Sequence, residues 1–393
     1  MILEELWISC MLGAGLICLA ANARSVGGLE ETARPVHGVQ RHLLLAPKPG
    51  NPRNSEGDLL ELDADSWLLV WTAFSDGTGG DHDPASLCSM RFDRRAGTWS
   101  KPRTVVAPRD GMNVMSVTLR RLPDRRIALF YLRKRSLVDC QPMVRFSSDE
   151  GLSWSEPVAI VPEDDVGYDV LNNDRVLLTG SGGLLVPVAR HAGSGMTPAF
   201  NPAARLRCYH SSDGGSSWTC GEWAPEVPGV VLQEPGLVLA TDGSLLMYAR
   251  TNAGTQYLAR SSDGGRSFQP PRPWSLRSPL SPASIHRLED GRLLGVWNEP
   301  PESVDASRAP RTPLVAAVSS DDGATWGKRH PLFQHGDGWY CYVSIDQVGE
   351  RLLLTTCAGD RRTGNGLETL VVVELPLDHL KASTPHEIPA LQP

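Results

Sequence analysis

Little in this chain of 393 residues points to a cofactor, a metal or a polyanion. Lys and Arg number 38 against 45 Asp and Glu, a formal net charge of −7, so the broad positive footprint that nucleic-acid binding requires is missing. No two cysteines stand at C-x-x-C spacing, which leaves no basis for a zinc or dithiol redox site. A P-loop, a dinucleotide fingerprint, HExxH, an EF-hand loop and G-x-S-x-G are all absent from the contexts that would give them meaning. No long stretch has a helical period, which excludes a coiled coil. With 41% apolar and 21% charged residues the chain is too apolar to be disordered.

Long apolar runs are also scarce. The one that stands out, Leu6 to Ala21, is followed by the small-x-small pattern Ala21-Asn22-Ala23. It is too short for a comfortable membrane span and reads as a secretory signal over residues 1–23, with Glu4 and Glu5 where basic residues are usual. Export to the periplasm or the exterior is the expectation. Cys10 and Cys18 belong to this leader. Of the other six cysteines, Cys208/Cys220 and Cys341/Cys357 are close enough in sequence to face each other across hairpins, with buried free thiols as the equal alternative. The mature chain, about 370 residues, exceeds the ~250–300 at which one compact core stops growing. It therefore has several domains or a repeat architecture.

A repeat is present. Ser147 to Trp154 (SSDEGLSW), Ser211 to Trp218 (SSDGGSSW), Ser261 to Phe268 (SSDGGRSF) and Ser319 to Trp326 (SSDDGATW) are near copies, and FDRRAGTW, ending at Trp99, is a degenerate fifth. The closing aromatics are 55, 64, 50 and 58 residues apart. Each copy has the chemistry of a tight turn: an Asp to accept backbone N–H bonds, a Gly for positive φ and an aromatic anchor. Upstream lie short β-rich runs such as Leu68-Leu69-Val70-Trp71 and Leu245-Leu246-Met247-Tyr248, entered through turns such as Asp242-Gly243. About four strands per unit at this period predict an all-β, six-bladed β-propeller of four-stranded antiparallel blades, with Arg41–Ala46 and Leu352–Leu375 forming or closing the sixth. The expected organisation is a linker at 24–40, the propeller at 41–380 and a tail at 381–393.

The S-x-D-x-G-x-[ST]-W segment is the Asp-box, or BNR repeat, and four good copies at blade spacing resemble the sialidase (neuraminidase) superfamily. The resemblance implies a site in which three arginines clamp a substrate carboxylate, a Glu activates a Tyr nucleophile, and an Asp serves as acid and base. Guanidinium forks match a carboxylate bidentately, and a neutral Tyr suits an anionic substrate that would repel a carboxylate nucleophile. On this likeness Gln233-Glu234-Pro235 and Ala249-Arg250 bracket one hairpin and supply the Glu and an arginine. Arg311, eight residues before the last Asp-box, supplies another, with Arg308 as fallback. Trp339-Tyr340-Cys341-Tyr342-Val343-Ser344-Ile345 is similar to the nucleophile strand, in which Tyr342 fits the register better than Tyr340.

The first blade departs from the pattern. Asn51-Pro52-Arg53-Asn54-Ser55-Glu56-Gly57-Asp58 keeps only Arg53 of the family's opening motif, with Glu56 and Asp58 beside it. Asp81 or Asp83, in Asp81-His82-Asp83-Pro84, stands at the distance of the acid/base, where His82 would tune its pKa. Asn172-Asn173-Asp174-Arg175 either lines the same mouth or caps a hairpin. The resulting expectation is a retaining exo-glycosidase that removes terminal sialic acid, or a similar acidic sugar, from glycoconjugates without metal or organic cofactor. The alternatives are a hydrolase or lyase for another acidic sugar such as a uronic acid, a non-catalytic carbohydrate-binding propeller, and a protein-interaction scaffold.

Overall fold

The computed structural model describes residues 28–192, 201–363 and 366–380. The expected leader (1–23) and C-terminal tail (381–393) lie outside the described residues. The protein is all-β, built from antiparallel meanders in chain order. The first is Arg53–Asp63, Ser66–Phe74 and Ala85–Asp93, edged by Thr98–Trp99 and Arg103–Val106. The second runs from Asn113–Arg121 through Ile127–Lys134 and Cys140–Ser147 to Val158–Ala159, and a parallel bridge from Cys140 to Tyr168 joins it to the third. The third has Tyr168–Val170, Leu184–His191, Ala204–Ser211 and Thr219–Cys220. Leu232–Leu239, Leu245–Thr251, Thr255–Ser261 and Arg272–Arg277 make the fourth, and Ser284–Arg287, Leu293–Asn298, Leu314–Ser319 and His330–Phe333 the fifth. In the sixth, Gly338–Val348, Arg351–Asp360 and Leu370–Pro376 are joined by the first strand of the chain, Gln40–Leu45.

The middle strands are buried on both faces, which explains why they read as continuous apolar runs. Leu68 and Val70 point to a core shared with the second meander, while Trp67, Leu69 and Trp71 point to a core shared with the sixth. Corresponding cores lie between the second and third meanders, the third and fourth, the fourth and fifth, and the fifth and sixth. Because side chains alternate across a strand, each meander contributes to the core on either side of it. Leu29, Ala33 and Val39, in the stretch expected to be a linker, are buried as well. Ala33 and Val39 belong to the core of the fifth and sixth meanders.

Each of the four good Asp-boxes caps its turn in the same way. In the second copy Ser211 Oγ donates to Asp213 Oδ1 at 2.7 Å and accepts the Gly215 N–H at 2.9 Å. Asp213 accepts the backbone N–H of Ser217 at 3.0 Å and its hydroxyl at 2.6 Å. Gly215 has φ +89°, which a side chain would strain. The aspartate is on the surface and the serine is buried, so the box closes the turn at the outer end of the third strand.

A second set of polar contacts ties the opening strands of the first, second and sixth meanders. These three and the opening strands of the fourth and fifth lie against one another and are thus the innermost strands. Asp58 accepts the Leu59 and Leu119 N–H groups at 2.8 and 2.7 Å. Arg120 pairs with Asp58 at 3.4 Å and with Asp174 at 2.6 Å, and Asp174 accepts the Ile345 N–H at 2.8 Å. Asp346 accepts the Glu61 N–H at 3.0 Å. Burial pushes the Asp346 carboxyl up to about 6.

The six described cysteines carry no disulfide. Cys341 and Cys357 do face each other across a hairpin, whereas Cys220 stands opposite Tyr209 rather than Cys208. Among the described residues no helix is long and apolar enough to cross a membrane, which says nothing of strands.

Two predictions follow from these contacts. Ser211→Ala leaves the buried Gly215 N–H without its acceptor and should cost about 1–3 kcal/mol in urea unfolding. Because the fold raises the Asp346 pKa, the stability tied to its neutral form is present at low pH and lost as pH rises through about 6. Asp346→Asn should therefore melt like the parent at pH 3.5, below the value of an unfolded aspartate, and about 2–4 °C above it at pH 8.

Candidate functional site

The site residues owe their positions to one backbone device. In the innermost strands of the first, second, fourth and sixth meanders, two residues face one on the neighbouring strand. The register shifts lie between Ser55 and Asp58, Met115 and Thr118, Gln233 and Gly236, and Cys341 and Ser344. The first extra residue of each bulge has left-handed φ: Glu56 at 50°, Ser116 at 58°, Glu234 at 49° and Tyr342 at 58°. None is glycine, so each bears a strain of order 1–3 kcal/mol that the surroundings must hold. The four side chains meet in two pairs. Tyr342 donates its hydroxyl to Glu234 Oε1 at 3.1 Å, and the Ser116 hydroxyl donates to Glu56 Oε2 in a very short contact.

Arginines surround these pairs. Arg250 Nε lies 2.9 Å from Glu234 Oε2, although its N–H points at Gln233 Oε1, also at 2.9 Å. Glu234 Oε2 and Arg250 Nη1 are both buried without a hydrogen bond. Arg311 stands over the Trp339 and Tyr342 rings at 5.1 and 6.0 Å and donates through Nη2 to the Leu280 carbonyl at 3.0 Å. Arg53, 1% exposed, forms ion pairs with Glu56 and Asp81, each at 2.6 Å. Burial, followed by the neighbouring Glu234 carboxylate, raises the Tyr342 phenol well above its usual value. Burial likewise raises Glu56, against the pull of Arg53.

Of the two acid/base candidates, Asp81 reaches the arginine, with its side chain 60% exposed. Desolvation pushes its carboxyl up, but Arg53 outweighs this and holds it below the ordinary value. Asp83 is turned into its own loop, where one carboxylate oxygen accepts the N–H groups of Thr78 and Gly80 at 2.8 and 2.9 Å. Burial and the nearby Lys134 lower the His82 pKa, so the ring is neutral at pH 7.

Neither fallback residue joins the cluster. Tyr340 is fully buried, stacks on Phe333 and donates to the Thr32 carbonyl at 2.8 Å. Arg308 is 89% exposed beside Asp305. Asn173 spans the inner strands instead of capping a hairpin, donating to the carbonyls of Gly57 at 3.0 Å and Tyr342 at 2.9 Å. It thus braces two of the bulges.

Ser116 escapes a reading based on motif matching, and Glu56 enters it only as a departure from the family's opening motif. Aligning the innermost strands with one another would single out Glu56, because Ser55-Glu56-Gly57 occupies the bulge position that Gln233-Glu234-Pro235 occupies in the fourth meander.

The BNR repeat-like domain profile matches residues 67–353, well over half of the chain. The chain belongs to the BNR repeat-like family. No curated protein matches it in sequence. Among solved structures it is similar to a Dyadobacter fermentans protein of unknown function, with TM-score 0.68 and 16% identity over 87% of this chain and 100% of that one. It is also similar to a leech intramolecular trans-sialidase, with TM-score 0.65 and 14% identity over 88% of this chain and 71% of that one. A Streptococcus pneumoniae sialidase gives TM-score 0.66 and 13% identity over the same shares, 88% and 71%. At these identities the likeness is one of fold, and a sialidase-like fold is what this BNR protein has.

The Glu234–Arg250 pair is closely placed and little exposed, so removing one partner should leave a buried charge. Arg250→Ala is expected to cost about 3–5 kcal/mol. Adding Glu234→Gln should recover most of that loss, as a double-mutant cycle by denaturant unfolding would show.

Proposed function

We propose that this BNR protein is an exported, six-bladed β-propeller acting as a retaining exo-glycosidase on a terminal acidic sugar. Sialic acid is the first candidate and a hexuronic acid the second. The observation that carries the reading is the 3.1 Å hydrogen bond from Tyr342 to Glu234, beside the unpartnered Arg250 Nη1. A buried phenol whose proton already points at a carboxylate is a nucleophile with its base in place. Successive cores that run from each meander to the next, and from the sixth back to the first, support a closed ring with its inner strands at the centre. Residues 1–23 serve as leader and 41–380 form the propeller.

In the first half of the reaction Glu234 takes the phenolic proton as Tyr342 oxygen bonds to the anomeric carbon. Asp81 gives a proton to the departing glycosidic oxygen. In the free site Arg53 keeps Asp81 ionised. A sugar that covers Asp81 excludes water from it, which raises its affinity for the proton. In the second half Asp81 takes a proton from water as the water oxygen bonds to the anomeric carbon. The Tyr342–carbon bond breaks, and the phenolate recovers its proton from Glu234. Two displacements at one carbon retain configuration. Arg250 and Arg311 hold the sugar's carboxylate.

The purified protein should release a fluorogenic aglycone from an α-sialoside or from a hexuronide. Tyr342→Phe should lose essentially all of that turnover, and Glu234→Gln should lower it by about 10²–10⁴-fold. Turnover of neither glycoside by the folded protein would reject the enzymatic reading in favour of a carbohydrate-binding propeller.

A further inference from the structure

Arg53 differs from the other two arginines in what its donors already do. Nε donates to Ser55 Oγ at 2.8 Å. Nη1 donates to the Gly79 carbonyl at 3.2 Å and to Asp81 Oδ1 at 2.6 Å, and Nη2 donates to Glu56 Oε1 at 2.6 Å. A guanidinium has five N–H groups, and with four committed Arg53 has no fork left for a ligand. Arg250, by contrast, keeps a buried Nη1 with no partner.

The carboxylate responsible is built in. Glu56 is 2% exposed, sits at the left-handed position of its bulge and is held from the other side by Ser116. That bulge has the same construction as those that aim Glu234 and Tyr342. Glu56 also brings the carboxylates of the cluster to three, with Asp81 and Glu234, against the three arginines Arg53, Arg250 and Arg311. An anion entering a charge-balanced site loses water without gaining a net countercharge.

We infer that Glu56 is a specificity-determining residue: its carboxylate occupies on Arg53 the place that a sugar carboxylate would take, so the Arg53–Glu56 pair reads hydroxyl groups. The inference rests on the proposed sugar site and narrows its substrate class. The acid group of the sugar meets two arginines rather than three, and the part of the ring facing the first meander is neutral and hydroxylated. The remaining Nη2–H of Arg53 donates to a hydroxyl oxygen, and the free lone pairs of Glu56 accept a hydroxyl proton.

The test is binding rather than turnover. N-acetylneuraminate and its methyl ester, which differ only in the charge of the carboxyl group, are titrated calorimetrically against the parent protein, Glu56→Gln and Glu56→Ala. The parent should prefer the acid over the ester by about tenfold to a hundredfold, the scale of the two arginines that meet it. Glu56→Ala, which releases Arg53, should raise the acid-to-ester ratio by about tenfold or more, the scale of one charge-assisted hydrogen bond. Glu56→Gln is isosteric, keeps an acceptor for Arg53 and should give a smaller rise in the same direction. If Glu56→Ala does not fold, the parent and Glu56→Gln decide alone. Binding with an unchanged ratio in the folded variants overturns the role of Glu56 and leaves the sugar site standing. No binding of this pair, or of glucuronate and its methyl ester titrated in the same way, by any of the proteins overturns the sugar site, and the role of Glu56 with it.

Discussion

The site depends on a backbone irregularity more than on any single side-chain contact. A regular innermost strand would turn every second residue into the core between meanders. The bulge inserts one residue and places its predecessor at positive φ, and so re-aims a side chain that would otherwise pack. At four innermost strands the re-aimed residues are Glu56, Ser116, Glu234 and Tyr342, and all four are polar. A non-glycine residue is costly in this conformation, and Asn173 offsets part of that cost by bonding the carbonyls of Gly57 and Tyr342. Strain of this kind, repeated at equivalent places and filled with chemically useful groups, is what a preorganised site requires.

Charge balance follows from the same geometry. Three carboxylates and three arginines belong to the cluster, and each carboxylate has an arginine beside it. The pairing is uneven. Arg53 is shared by Glu56 and Asp81, Arg250 serves Glu234, and Arg311 lies over aromatic rings and donates to the Leu280 carbonyl. The unevenness gives the site a direction: the side of the first meander is electrically closed, while the side of the fourth and fifth, which carry Arg250 and Arg311, keeps donors that a ligand can use.

Much of this was legible in the sequence where the relevant partners are close along the chain. The Asp-boxes are local turns, so their serine, aspartate and glycine are read directly. Glu234 and Arg250 bracket one hairpin, so their spacing alone brings them together. The choice between Tyr340 and Tyr342 was harder, because residues two apart share a face of a regular strand. The bulge after Cys341 breaks that regularity and sends Tyr340 to Phe333 and Thr32, and Tyr342 to Glu234. Glu56 was visible only as a departure from a motif. Its partner Ser116 is sixty residues away, and no local pattern announces such a contact.

Scaffold and site are also separable. The Asp-boxes close turns at the outer ends of the third strands, whereas the bulges lie on the innermost strands, and the contacts that stabilise the one do not touch the other. Such a fold recurs at 13–16% identity, and it does not by itself dictate which residues stand at the bulges. It follows that the fold transmits the arrangement of inward positions but not the groups that fill them. A carboxylate at position 56 changes what Arg53 can bind without disturbing a single turn. Chemistry in this architecture must therefore be read from the bulges, one residue at a time.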